Sequence, residues 1–147
     1  MSSLGSLPPV ALVDDDAKCI FVMREMLALA KLQNPVLSFA DGLEARDYLA
    51  ESLAAPSETL APCLVLLDIK MPLLSGFDFL TWIRAQPALK QLKVVVLSSS
   101  DDFADLHQAK ERGADGYFVK FPPLPTLAAV LAGCRGVRLA ARQPAVS

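Results

Sequence analysis

Apolar residues fall along this chain in two alternating rhythms. Short, nearly unbroken runs at 10–13 (VALV), 36–39 (VLSF), 64–67 (LVLL), 94–97 (VVVL) and 117–119 (YFV) have the length of strands. Runs without strict alternation imply burial on both faces, as in a parallel sheet covered by helices. The longer segments between them repeat at three and four residues. Cys19, Val22, Met23, Met26, Leu27 and Ala30 line one face of a first helix, with Asp16 placed to cap it. A second helix follows Asp41-Gly42 and carries Leu43, Ala45, Tyr48, Leu49 and Leu53, ending in the loose stretch 54–59. A third begins near Gly76, runs through Phe79, Leu80 and Ile83, and stops before Pro87. Residues 102–112 form a fourth, closed by Gly113, and Pro125 to about Cys134 forms the last. Strands alternating with helices predict βαβ units, and hence an α/β domain built on a parallel sheet.

At 147 residues the chain fits one domain, and 53% apolar against 20% charged residues makes it globular. Residues 8–134 are assigned to that domain, 1–7 to a flexible N-terminal tail, and 135–147 to a frayed C-terminal tail. A net charge of -2 leaves no basic footprint for nucleic acid. The first residues lack a basic start, and no apolar run is long enough to cross a bilayer, so neither secretion nor a membrane is expected. Cys19, Cys63 and Cys134 are odd in number and each lies in an apolar segment, which fits reduced core thiols and a cytoplasmic location.

The candidate chemistry sits at the ends of two strands. Val10-Ala11-Leu12-Val13 runs into Asp14-Asp15-Asp16, and Leu64-Val65-Leu66-Leu67 runs into Asp68. A carboxylate at the exit of a buried strand is costly unless something compensates it. Two unit negative charges about 4 Å apart repel by roughly 4 kcal/mol at an effective dielectric of about 20. A hard divalent cation removes that conflict, so the pattern points to a metal and phosphate site. Asp16 keeps the plainer role of helix cap, and His107 lies in a polar stretch with no assigned chemistry.

Val13-Asp14-Asp15, Asp68 with Pro72 and Gly76, Ser98 after an apolar strand, and Lys120 after Gly116-Tyr117-Phe118-Val119 together resemble the receiver domain of two-component response regulators. The stretches Asp41-Gly42-Leu43-Glu44-Ala45 and Gly113-Ala114-Asp115-Gly116-Tyr117 add to the likeness, which spans roughly 8–134. It implies a flavodoxin-like, doubly wound (βα)5 fold with strand order 2-1-3-4-5 and a site where strands one and three diverge. It also implies that Asp68 takes a phosphoryl group from a sensor histidine kinase, a histidine phosphotransfer protein or a small acyl phosphate. Mg²⁺ would be held by Asp15 and Asp68 directly, by Asp14 through water, and by the backbone carbonyl of Lys70. Lys120 would offset phosphoryl charge. Ser98 and Tyr117 would form the switch, read on a face made of 103–112, 116–119 and 124–130 by a downstream protein, or in a homodimer. The resemblance also implies that Ser100 and Lys70 would stand at positions that, in receivers, influence phosphoryl lifetime. Catalysis would be confined to the protein's own phosphorylation and dephosphorylation.

The resemblance has one departure, Phe121 where proline usually follows the lysine, which leaves open how the 120–122 segment bends. Ile20 and Phe21 fall outside the core face of the first helix and form a candidate docking patch for the phosphodonor. Two competing readings are weaker. A pseudo-receiver that binds partners without phosphorylation does not need the intact acidic set and Lys120. An aspartate-dependent phosphatase of the haloacid dehalogenase type wants a second Asp where Lys70 stands.

Overall fold

The structure, a computed structural model, describes residues 7–140. Residues 1–6 and 141–147, most of the two expected tails, lie outside the described residues. Five parallel strands, β1 (Val10–Val13), β2 (Val36–Phe39), β3 (Leu64–Leu67), β4 (Lys93–Ser98) and β5 (Gly116–Val119), form one sheet in the order 2-1-3-4-5. Helices α1 (Ala17–Leu29), α2 (Gly42–Ala54), α3 (Gly76–Ala85), α4 (Phe103–Glu111) and α5 (Leu124–Ala132) alternate with them. The fold is flavodoxin-like, as the sequence pattern and its resemblance imply. None of the described helices is long and apolar enough to cross a membrane.

The period-two geometry of a strand divides the core between two faces. Ala11, Val13, Val65 and Leu67 pack with Ala45 and Leu49 of α2 and with Phe79, Leu80 and Ile83 of α3. Val10, Leu12, Leu64 and Leu66 pack on the opposite face with Met23 and Leu27 of α1 and with Leu127 and Leu131 of α5. α4 covers the first of these faces near the β5 edge, where Ala109 meets Ile69 and Val96. The helix starts follow from capping: the side chains of Asp16, Asp41, Ser75 and Asp102 each accept a first-turn N–H.

Strand register places the acids. Val13 of β1 pairs with Leu67 of β3, and the N–H of Asp68 donates to the carbonyl of Val13 at 2.9 Å. Asp14 and Asp68 therefore leave the sheet side by side. Gly76 lets the following loop fold back closely: a Cβ there would lie 2.4 Å from the carbonyl oxygen of Asp68 and 2.4 Å from the Cα of Ile69.

The C-terminal tail expected from Arg135 is instead docked as far as Ala140. Leu139 bridges antiparallel to Leu32, the N–H of Ala140 donates to the carbonyl of Lys31 at 2.7 Å, and that of Gln33 to Arg138 at 2.9 Å. Buried Asn34 fastens this strap. Its Nδ2 donates to the carbonyls of Pro8 (2.8 Å) and Gly136 (2.9 Å), and its Oδ1 accepts from the N–H of Arg138 (2.7 Å). Val137 and Leu139 pack against the α1 and α5 face of the core, and that apolar contact is why the segment does not fray.

Candidate functional site

β1, β3, β4 and β5 deliver their side chains to one crevice at the carboxyl end of the sheet. Asp14 and Asp68 are buried and Asp15 is exposed, and one carboxylate oxygen from each lies within 4.8 Å of the others. Asp14 Oδ1 accepts from the N–H of Asp16 at 2.9 Å, and Asp68 Oδ1 accepts from the N–H of Lys70 at 3.3 Å. Lys120 reaches across from the end of β5. Its Nζ lies 2.6 Å from Asp14 Oδ2 and 3.7 Å from Asp68 Oδ2.

Electrostatics separate the two ion-paired groups. Burial pushes the Asp68 carboxyl up to about 6; the Lys120 ammonium opposes this, and the charge of Asp14 adds to it. Burial works against the charge on Lys120 too, yet the hydrogen bond to Asp14 and the charges of Asp68 and Asp14 outweigh it and hold the ammonium above its ordinary value. Lys120 is thus a fixed cation, whereas Asp68 is a carboxyl whose ionised form lacks full compensation. An oxygen-only set of clustered carboxylates, one of them short of positive charge, fits Mg²⁺ and does not fit a soft metal.

The cation arrives despite the missing proline. The peptide bond between Lys120 and Phe121 is itself cis, and the N–H of Lys120 donates to the carbonyl of Ser98 at 2.8 Å, locking the ends of β5 and β4 together. Ser98 is fully buried, and its Oγ accepts from the N–H of Ser100 at 3.1 Å. Half-buried Tyr117 packs beside Ile69, Val96 and Ala109 and donates its hydroxyl to the carbonyl of Ser100 at 2.8 Å. Both switch candidates thus meet at one loop residue.

Two residues of α1 stand differently from the sequence expectation. Ile20 is drawn partly into the core because it precedes Met23 by three positions and Leu27 by seven, which puts it on their face; Phe21 stays 65% exposed. Cys19 is a crevice-wall residue, not a core thiol. Its Sγ lies 3.5 Å from Lys120 Nζ, and burial pushes the thiol up. Nothing in the spacing of α1 shows that contact, because it depends on how the helix docks against the β5–α5 turn. All three cysteines are free.

Comparison with known proteins gives this geometry a family. The profile of the response regulator receiver domain matches residues 10–132. The chain belongs to that family. It is 28% identical over 134 residues to response regulator Rcp1 of Synechocystis sp., covering 90% of each chain. It is 36% identical over 156 residues to the transcriptional regulatory protein SphR of Synechococcus elongatus, covering 99% of this chain but 57% of that one, so it spans little more than half of SphR. Among solved structures it resembles the phosphorylated cyanobacterial phytochrome response regulator RcpA, with 30% identity, a TM-score of 0.71, and 85% and 89% of the two chains covered. The Mn²⁺-bound form of Rcp1 gives 26% identity and a TM-score of 0.69, covering 91% and 99%.

Proposed function

We propose that this receiver accepts a phosphoryl group on Asp68 from a sensor histidine kinase or a histidine phosphotransfer protein and passes the signal on by protein binding. The observation that carries this reading is the convergence of three carboxylates with the Lys120 ammonium on one buried crevice. Similar structures include those described as phytochrome and bacteriophytochrome response regulators, so a phytochrome-type histidine kinase is the first donor to try.

Asp68, ionised, attacks the phosphorus of the donor's phosphoimidazole; an O–P bond forms, the N–P bond breaks, and its electron pair stays on the imidazole nitrogen. Asp14, Asp15, Asp68 and the backbone carbonyl of Lys70 would hold Mg²⁺, which supplies countercharge to the phosphoryl oxygens. Lys120 gives a second countercharge, turning from Asp14 toward the phosphoryl group. Ser98 donates its hydroxyl to a phosphoryl oxygen and so gives up its present place beneath the Ser100 amide, and Tyr117 follows that loop. The receiver acts in the cytoplasm, where reduced cysteines persist. The output is a downstream protein or a second copy of the chain, without turnover of any other substrate.

Phe21, with the accessible part of Ile20, forms the patch on which the donor protein sits. Transfer of radiolabelled phosphate from an autophosphorylated histidine kinase tests both claims. Asp68→Asn takes up no label, whereas the double change Ile20→Ser and Phe21→Ser slows uptake about tenfold or more, as expected of an interface centre, and leaves labelling by acetyl phosphate intact. Equal slowing with both donors removes the docking role, and labelling of Asp68→Asn removes the phosphoacceptor.

A further inference from the structure

Lys120 has to move if its ammonium is to meet a phosphoryl group, so what holds it at rest matters. An ammonium carries three N–H donors. Nζ donates to Asp14 Oδ2 at 2.6 Å and to Cys19 Sγ at 3.5 Å, while Asp68 Oδ2 stands farther off, at 3.7 Å. The side chains of Lys120, Asp14 and Asp68 are only 9%, 10% and 8% exposed, so little water reaches these donors.

Helical spacing puts the sulfur there. Cys19 precedes Met23 by four residues and Leu27 by eight, both of them buried, so it ends the buried stripe of α1 at the crevice. Apart from the two carboxylates, the walls around the ammonium are apolar, Leu12, Met23, Leu66 and Leu97 among them. Without the sulfur, the acceptor left for the N–H it serves is Asp68 Oδ2. Burial pushes the thiol up, so it is neutral, and a neutral sulfur is a weak acceptor. It holds the ammonium back from Asp68 yet yields readily to a phosphoryl oxygen.

We propose that Cys19 is a positioning residue for Lys120, a sulfur seat that keeps the ammonium on Asp14 and off Asp68 until a phosphoryl group arrives. The proposal rests on the phosphoacceptor reading above for its purpose, and on the contact alone for its effect on metal binding. With the ammonium held back, Asp68 keeps its lone pairs for a divalent cation and for phosphorus. When the seat is lost the ammonium closes on Asp68, bridges both buried acids, and has to be displaced before the metal binds.

Calorimetric titration of the full chain with MgCl2 at about pH 7.5, where Asp68 is ionised, tests this. Cys19→Ala, a change that favours the helix, weakens Mg²⁺ binding about three- to tenfold, the scale of one hydrogen bond. Cys19→Ser supplies an acceptor again and recovers most of the affinity. In a Lys120→Met background Cys19→Ala has no effect, because nothing is left for the sulfur to position. Equal affinity in Cys19→Ala and the wild type overturns the seat. So does a loss of the same size with and without Lys120, which would make Cys19 a packing residue of α1, and so does a Cys19→Ser variant as weak as Cys19→Ala. Acetyl phosphate and intact mass separate the two readings: if the wild-type chain takes up no phosphoryl group, the phosphoacceptor reading fails, and the titrations still decide the seat.

Discussion

Asp68 is placed where its charged form is least comfortable, and that placement makes its metal affinity depend on pH. With the carboxyl raised to about 6 by burial, the metal-free protein carries a proton there across mildly acidic conditions. A divalent cation binds the ionised form, so proton and metal compete: affinity is full above the raised pKa and weakens as pH falls through it. Calorimetric titration with MgCl2 at about pH 5 and about pH 7.5 should give the tighter binding at the higher pH. Affinity independent of pH would show that Asp68 is not a ligand. Asp14 and Asp68 were legible because each directly follows an apolar run, and Asp15 because it adjoins Asp14. The place of Cys19 beside Lys120 was not, since it arises from docking between segments about a hundred residues apart. Ile20 also packs partly on the core, because the apolar stripe of α1 is wider than the face running from Cys19 to Ala30.

At the scale of elements, the strands and helices follow the hydrophobic rhythm closely, because every strand is short, apolar and bounded by a turn or capping residue. Departures occur where local signals compete. Pro87, read only as a helix stop, also opens a short 3-10 turn, Pro87–Leu89, and α5 begins at Leu124 behind Pro123, one residue before the expected Pro125. Gly76 shows what the motif alone does not explain. It begins α3 hard against the backbone of Asp68 and Ile69, with no side chain able to move aside. Gly76→Ala should therefore cost about 1–3 kcal/mol, as overpacking does elsewhere, and displace the loop that carries Asp68. Urea denaturation reads the first effect and Mg²⁺ affinity the second. An unchanged midpoint would mean that the loop yields freely.

On the scale of the whole molecule, the unit is larger than the family match. The profile ends at residue 132, but the strap to Ala140 closes the α1 and α5 face. Asn34 joins the entry to β1, the approach to β2 and the strap through three backbone partners. Asn34→Ala leaves those partners without their bonds and should destabilise the protein by about 1–3 kcal/mol in urea denaturation. A negligible loss would return the strap to the status of a tail. Its sequence hid it, because the fold of 135–140 depends on contacts with residues 8, 31–34 and 63 and not on any local period. The strand order could not be read from local pattern either. It came through the family resemblance, and with it the meeting of Asp14, Asp68 and Lys120. The claim that this meeting makes a phosphoacceptor has a direct test: intact-mass analysis after incubation with Mg²⁺ and acetyl phosphate. The wild-type chain should gain one phosphoryl group and Asp68→Asn none; an adduct that persists in Asp68→Asn would contradict the account.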